Sequence, residues 1–166
     1  MTSKITPYFD RPASLGLRTQ LLLNRFIDQL DVALDDSGVG LKPMGTGAVN
    51  FLHHSGPSSI AQIAEALGYS HQLTSKRVAW LVGQGLARLE DDPDDGRRRR
   101  VILTDLGQER AERLMVFVPK LDAALTELFD EIGVDLRQKM VEAEQSLTRY
   151  PLQQRIREQG SPGSDN

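Results

Sequence analysis

The stretch Ser70-His71-Gln72-Leu73-Thr74-Ser75-Lys76-Arg77-Val78-Ala79 mixes hydrogen-bonding side chains with apolar ones at helical spacing. With Leu73, Val78 and Leu81 facing inward, Gln72, Ser75, Lys76 and Ala79 share the outer face, and His71 lies near the start. Such a face suits the edges of base pairs. Gln72 can bond an adenine edge through two hydrogen bonds, Lys76 a guanine or a phosphate. Ser70 or Ser75 can bond a phosphate where the helix dipole is positive. On an isolated helix the same face would simply be solvated. What turns the reading toward nucleic acid is a second feature, Arg97-Arg98-Arg99-Arg100 beside Gly96. Four adjacent arginines repel one another unless a polyanion neutralises them. In a strand they alternate faces, so only some touch a ligand. Arg97, nearest the tip, suits a narrow A·T-rich minor groove, and Asp95 can hold its guanidinium in a bidentate pair before binding. A wing-tip salt bridge of structural role alone is the plainer alternative for that pair.

Other chemistry finds little to work with. The absence of cysteine excludes disulfides, a thiolate zinc site and a cysteine nucleophile. His53, His54 and His71 are the only histidines, and neighbours such as His53 and His54 point about 100° apart on a helix, a poor metal pair. They read as solvated or helix-terminal. Gly68-Tyr69-Ser70-His71-Gln72 lacks the final glycine of a nucleophile elbow, and no glycine-rich loop with a following lysine is present to cradle phosphate. We expect no enzyme, no cofactor and no metal.

The chain has 166 residues, 39% hydrophobic and 26% charged, which fits one globular domain. No apolar run approaches the roughly 18 residues of a membrane span, and Met1 to Asp10 lacks the pattern of a secretory signal, so the expected location is cytoplasmic. The net charge of −3 speaks weakly against nucleic acid, yet its distribution speaks for it. Ser70 to Thr104 holds seven basic and five acidic residues, leaving 13 basic and 18 acidic elsewhere. A positive middle between negative ends fits a polyanion partner for the middle alone.

The elements that must position these residues are helices. Leu15, Leu22, Phe26, Leu30 and Ala33 mark one face of a long first helix, stopped at Asp35-Asp36-Ser37-Gly38. A second starts near Pro43 and ends at Gly56-Pro57. Ser59 and Gln62 form a capping box for a third helix, Ile60 to Leu67; Gly68 breaks it, and Ser70 caps a fourth that runs to about Gln84. Leu86 to Glu90 and Arg99 to Leu103 read as a β-hairpin around the turn-rich 91–96 segment. Thr104 caps a fifth helix, Leu106 to Ile132, which Pro119 should kink. A sixth follows Gly133 and is bent or ended at Pro151, and the tail 159–166 reads as disordered. The fold class is thus mainly α with a small β-wing: a winged helix-turn-helix at 43–103 inside a single domain 1–158, flanked by helical regions 12–35 and 104–158. Three helices with apolar stripes exceed what a winged helix of about 45 residues can cover, so self-association is expected. Two-fold symmetry would set two recognition helices about 34 Å apart and call for an inverted repeat.

Ile60 to Gly107 resembles the winged helix of the MarR family of bacterial transcription regulators. The likeness rests on Ala64, Leu67-Gly68, Leu81, Gly85-Leu86, Asp92-Pro93, Asp95-Gly96-Arg97 and Leu103-Thr104-Asp105-Leu106-Gly107. The flanking helices follow that family's order too. The resemblance implies an obligate homodimer built from the first, fifth and sixth helices. It also implies a pseudo-palindromic double-stranded operator, usually repressed, and in many members release by a small aromatic or phenolic acid. DNA-binding residues are then expected at Ser70, His71, Gln72, Ser75, Lys76, Arg97, Arg98 and Arg99. An effector pocket is expected between the first, second and fifth helices near Phe26, Phe51 and Leu114. Arg77 and Thr74 depart from the pattern, standing where apolar core residues are usual; Arg77 must snorkel, pair with an acid or reach phosphate. The rival reading is a winged-helix module for protein partners, which need not lose affinity with salt as a DNA binder must.

Overall fold

The computed structural model describes residues 11–92 and 99–159. A 3-10 turn at Pro12–Ser14 leads into α1 (Leu15–Asp36). Then come α2 (Pro43–Ser55), the short strand β1 (Ser58–Ser59), α3 (Ile60–Leu67), α4 (His71–Gly83), β2 (Ala87–Asp91) and β3 (Arg99–Leu103). Last are α5 (Asp105–Ile132), α6 (Leu136–Arg149) and α7 (Leu152–Gln159). Two compact units divide the chain, one ending at Val118 and the other beginning at Pro119. The α5 helix continues through Pro119.

In the first unit the core is aliphatic: Leu34, Leu41, Val49, Ile63, Leu81 and Val101 are all buried. Each such side chain stabilises the fold by about 1.5–3 kcal/mol relative to exposure. Glycine punctuation sets the corners. Gly38 takes φ +65° after α1, and the Val39 N–H then donates to the Leu34 carbonyl at 3.1 Å. Arg113 on α5 donates to the Gly38 carbonyl at 2.9 Å, tying this corner to the helix after the wing.

The helix-turn-helix forms through its caps. Ser59 Oγ accepts from the Gln62 N–H at 3.2 Å, and Gln62 Oε1 accepts from the Ser59 N–H at 2.8 Å, a complete capping box. Gly68, left-handed at φ +65°, lets the Tyr69 N–H reach the Ala64 carbonyl at 2.9 Å. Ser70 Oγ then accepts from the Leu73 N–H at 3.2 Å to start α4.

On α4 the inward face is corrected by one position. The buried stripe is Thr74, Val78 and Leu81, whereas Leu73, expected inside, is exposed. Thr74 can sit in the core because its hydroxyl donates to the Ser70 carbonyl at 3.1 Å, leaving no polar atom unsatisfied.

The wing is a three-stranded antiparallel sheet of order β1-β3-β2, not the two-stranded hairpin expected. Ser58 and Ser59 pair with Val101 and Arg100, which covers the outer edge of β3. β2 begins at Ala87, one residue after the expected start. Behind the wing, Thr104 Oγ1 donates to the Gly85 carbonyl at 2.6 Å and accepts from the Gly107 N–H at 3.1 Å. Its own N–H donates to the Leu86 carbonyl at 3.0 Å. A Cβ at Gly107 would overlap the Leu86 carbonyl oxygen. The Gly85-Leu86 and Leu103-Thr104-x-x-Gly107 pattern is therefore one joint, made by two segments of sequence that close on each other.

In the second unit Asp135 caps α6, Oδ1 accepting from the Gln138 N–H at 2.9 Å; that bond holds its carboxyl below the ordinary value near 3.8. Pro151 ends α6 as expected, but α7 follows where a separate helix was not anticipated. Arg155 stacks on the Tyr150 ring at 4.5 Å and donates to Ser146 Oγ at 3.0 Å, while Tyr150 bonds Glu158. Much apolar surface stays open: Leu15, Leu22 and Phe26 on α1, Leu128 and Ile132 on α5, and Met140 and Leu147 on α6 are exposed. No helix among the described residues is long and apolar enough to cross a membrane.

Candidate nucleic-acid interface

With its buried stripe against the core, α4 turns His71, Gln72, Lys76 and Ala79 to the surface and holds Ser75 at intermediate exposure. Ser75 Oγ lies 3.4 Å from His71 Nδ1, one turn back, so these two polar tips sit together near the start of the helix. Gln72 and Lys76 make no hydrogen bond or ion pair among the described residues, and their donors and acceptors are open to a ligand. The Ser70 hydroxyl is occupied as acceptor in the cap, which leaves its O–H free to donate.

Along β3 exposure falls with distance from the turn: Arg99 is exposed, Arg100 half-buried and Val101 in the core. The acids at the loop end of β2 meet them. Arg99 Nε lies 3.6 Å from Asp91 and Arg100 Nε 3.7 Å from Asp92, while Arg88 Nε contacts Glu90 at 2.6 Å along β2. The Arg99 pair is open to water on both sides and contributes little, so a phosphate can take its place at small cost. Asp95, Arg97 and Arg98 lie outside the described residues, and with them the expected Asp95–Arg97 pair.

Arg77, the unexpected charge on α4, is half-buried and pairs with no acid among the described residues. Its guanidinium carbon stands 4.2 Å from the centre of the Tyr69 ring, in the turn before the helix. The sequence marks this position as unusual but does not show its partner. Nor does it show two further contacts. His53 Nδ1 meets Gln108 Nε2 at 2.9 Å across 55 positions of sequence, and His54 Nδ1 meets the Asn50 carbonyl at 2.9 Å. Both histidines lie in the last turn of α2. No group of three or more His, Asp or Glu among the described residues could hold a metal ion.

Of the three expected pocket residues, Leu114 is buried, Phe51 half-buried and Phe26 exposed. Arg18, Leu21, Leu22, Asn24, Arg25 and Asp28 border an open hollow of about 590 Å³ along α1.

Comparison with known proteins places this geometry. The family model described as MarR family matches residues 39–98, from the α1–α2 corner into the wing. No curated protein matches the sequence. Among solved structures, a MarR family transcription regulator superposes with a TM-score of 0.60 at 17% identity, covering 86% of this chain and 91% of its own. The PcaV transcriptional regulator from Streptomyces coelicolor, solved with its natural ligand, gives 0.59 at 18% identity, covering 87% and 96%. The heme sensor PefR from Streptococcus agalactiae, solved with heme, gives 0.57 at 20% identity, covering 83% and 95%. Residues 39–98 therefore match the MarR family model, and the chain has the fold of solved MarR-type transcription regulators.

Proposed function

We propose that the protein is a sequence-specific, double-stranded-DNA-binding transcription regulator, not an enzyme, and that it acts in the cytoplasm. It binds a pseudo-palindromic operator as a homodimer and represses from it. The observation that carries this reading is the outer face of α4, where Gln72 and Lys76 stand exposed and without partners among the described residues, beside an arginine-bearing hairpin. In this reading Ser70, His71, Gln72, Ser75 and Lys76 enter the major groove. Arg97, oriented by Asp95, enters the minor groove, and Arg98 and Arg99 meet the backbone. The helical regions 12–35 and 104–158 form the dimer; the apolar side chains left open on α1, α5 and α6 support that assignment, since a monomer rarely exposes so much.

Two of the similar structures hold ligands, heme in one and a natural ligand in the other. We extend this to a small aromatic or phenolic acid that releases DNA from a site near Phe26, Phe51 and Leu114. The aromatic side chains give it a stacking surface.

The test is a titration of mixed-sequence duplex DNA between about 50 and 200 mM salt, where affinity should fall by about 0.9 log unit per log unit of salt for each phosphate contacted. Arg97→Ala should weaken binding more than tenfold with the dimer intact, and Gln72→Ala should erode preference for one sequence by about 1–3 kcal/mol. Binding that ignores salt, or no DNA binding beside a captured protein partner, would return the winged helix to the protein-interaction reading.

A further inference from the structure

We propose that Arg77 is a phosphate clamp at the rim of the recognition helix, held ready by its stack on Tyr69. The inference rests on the DNA-binding reading above and adds a residue to it. A guanidinium in the flank of a helix is expected either to pair with an acid or to be extended into water. Arg77 does neither: it is half-buried, it makes no hydrogen bond or ion pair among the described residues, and it lies 4.2 Å from the Tyr69 ring centre. A guanidinium over an aromatic ring spends none of its N–H donors on that contact. Edge donors in that planar fork fit a phosphate, which accepts two parallel hydrogen bonds.

Its place on the helix decides between base and backbone. Arg77 follows Lys76 by one residue, so its side chain leaves α4 about 100° round from the face that carries Gln72 and Lys76. A base edge lies in front of that central face; a sugar-phosphate strand runs along its rim. Helical side chains also lean toward the N-terminus, and the contact with Tyr69, which precedes the Ser70 cap, draws the guanidinium back toward the end of α4 that enters a groove first. The aromatic ring thereby fixes a flexible cation before DNA arrives, and less freedom is lost when a phosphate binds. Tyr69 is the positioning residue and Arg77 the contact.

A duplex enriched from a randomised pool and a mixed-sequence duplex would be titrated across salt with the full chain and three variants: Arg77→Gln, Arg77→Lys and Tyr69→Leu. Arg77→Gln should weaken both duplexes by about tenfold, without changing which sequence is preferred. It should also lower the salt slope by about 0.9 for each protomer bound. Arg77→Lys, which keeps the charge and loses the fork, should recover the slope but only part of the affinity. Tyr69→Leu should keep the slope and weaken binding several-fold. Thermal melts and dimer mass of the variants should match the parent, which separates a lost contact from a lost fold. A parent chain that binds with a salt slope unchanged in Arg77→Gln overturns the clamp and leaves the DNA-binding reading standing. A selective loss on one sequence overturns it in favour of base reading. A parent chain that binds no DNA overturns both.

Discussion

Replacing Thr104 by valine keeps the shape of the side chain and removes one oxygen, which makes it the cleanest probe of the joint between the wing and α5. Two bonds are lost together: the 2.6 Å bond to the Gly85 carbonyl and the 3.1 Å acceptor for the Gly107 N–H. Losing a helix cap costs about 1 kcal/mol, and the hydrogen bond to Gly85 contributes about 1 kcal/mol more. Water can partly replace both at this half-exposed site, so the expected destabilisation is about 1.5 kcal/mol. For a chain of this length that lowers the melting temperature by about 3–6 °C. Urea unfolding at one fixed protomer concentration, required because a dimer's stability depends on it, should show a lower midpoint at unchanged slope. Thr104→Ser, which retains the oxygen, should recover most of the loss. If Thr104→Val melts with the parent, or if the serine variant is as weak as the valine, the joint is not held by this hydroxyl and the physical account of the Leu-Thr-x-x-Gly pattern fails.

Gly107→Ala should cost more, about 3 kcal/mol at the upper end of the range for overpacking, because the added Cβ meets a backbone oxygen that cannot rotate away; a variant with parental urea midpoint would contradict this. Asp135 should titrate below its ordinary value near 3.8, since the Gln138 N–H stabilises its charged form. Its folded pKa is depressed, so its support for α6 is present above about 3.8 and is lost as pH falls through the lower folded value. Carboxyl NMR would reveal this, and a midpoint at or above 3.8 would refute the cap.

How far the sequence could be read depended on whether a feature is local. Gly38, Gly68, Ser59, Ser70 and Thr104 announce helix ends through their own chemistry, and each stands where that chemistry placed it. Strand β1 was missed because two serines carry no periodicity; they pair only because β3, some forty residues later, offers an edge. Leu73 reads as inward because it is apolar, but the hydroxyl of Thr74 finds its partner within its own helix, so the buried stripe passes through Thr74. Helix α7, with Leu152 and Ile156 among polar residues, has too little apolar pattern to stand out. The polar outer face with Gln72, Ser75 and Lys76 is legible from spacing; the stack of Arg77 on Tyr69 is not, because it depends on where a turn leaves an aromatic ring.

The claim that α4 and the wing read DNA is met most directly by selecting from a randomised duplex pool with the purified chain at two salt concentrations and sequencing what is retained. An inverted repeat should be enriched, with half-sites about one turn apart and retention that weakens at higher salt. A pool that emerges without sequence preference, from a chain shown to be folded and dimeric, would contradict the account.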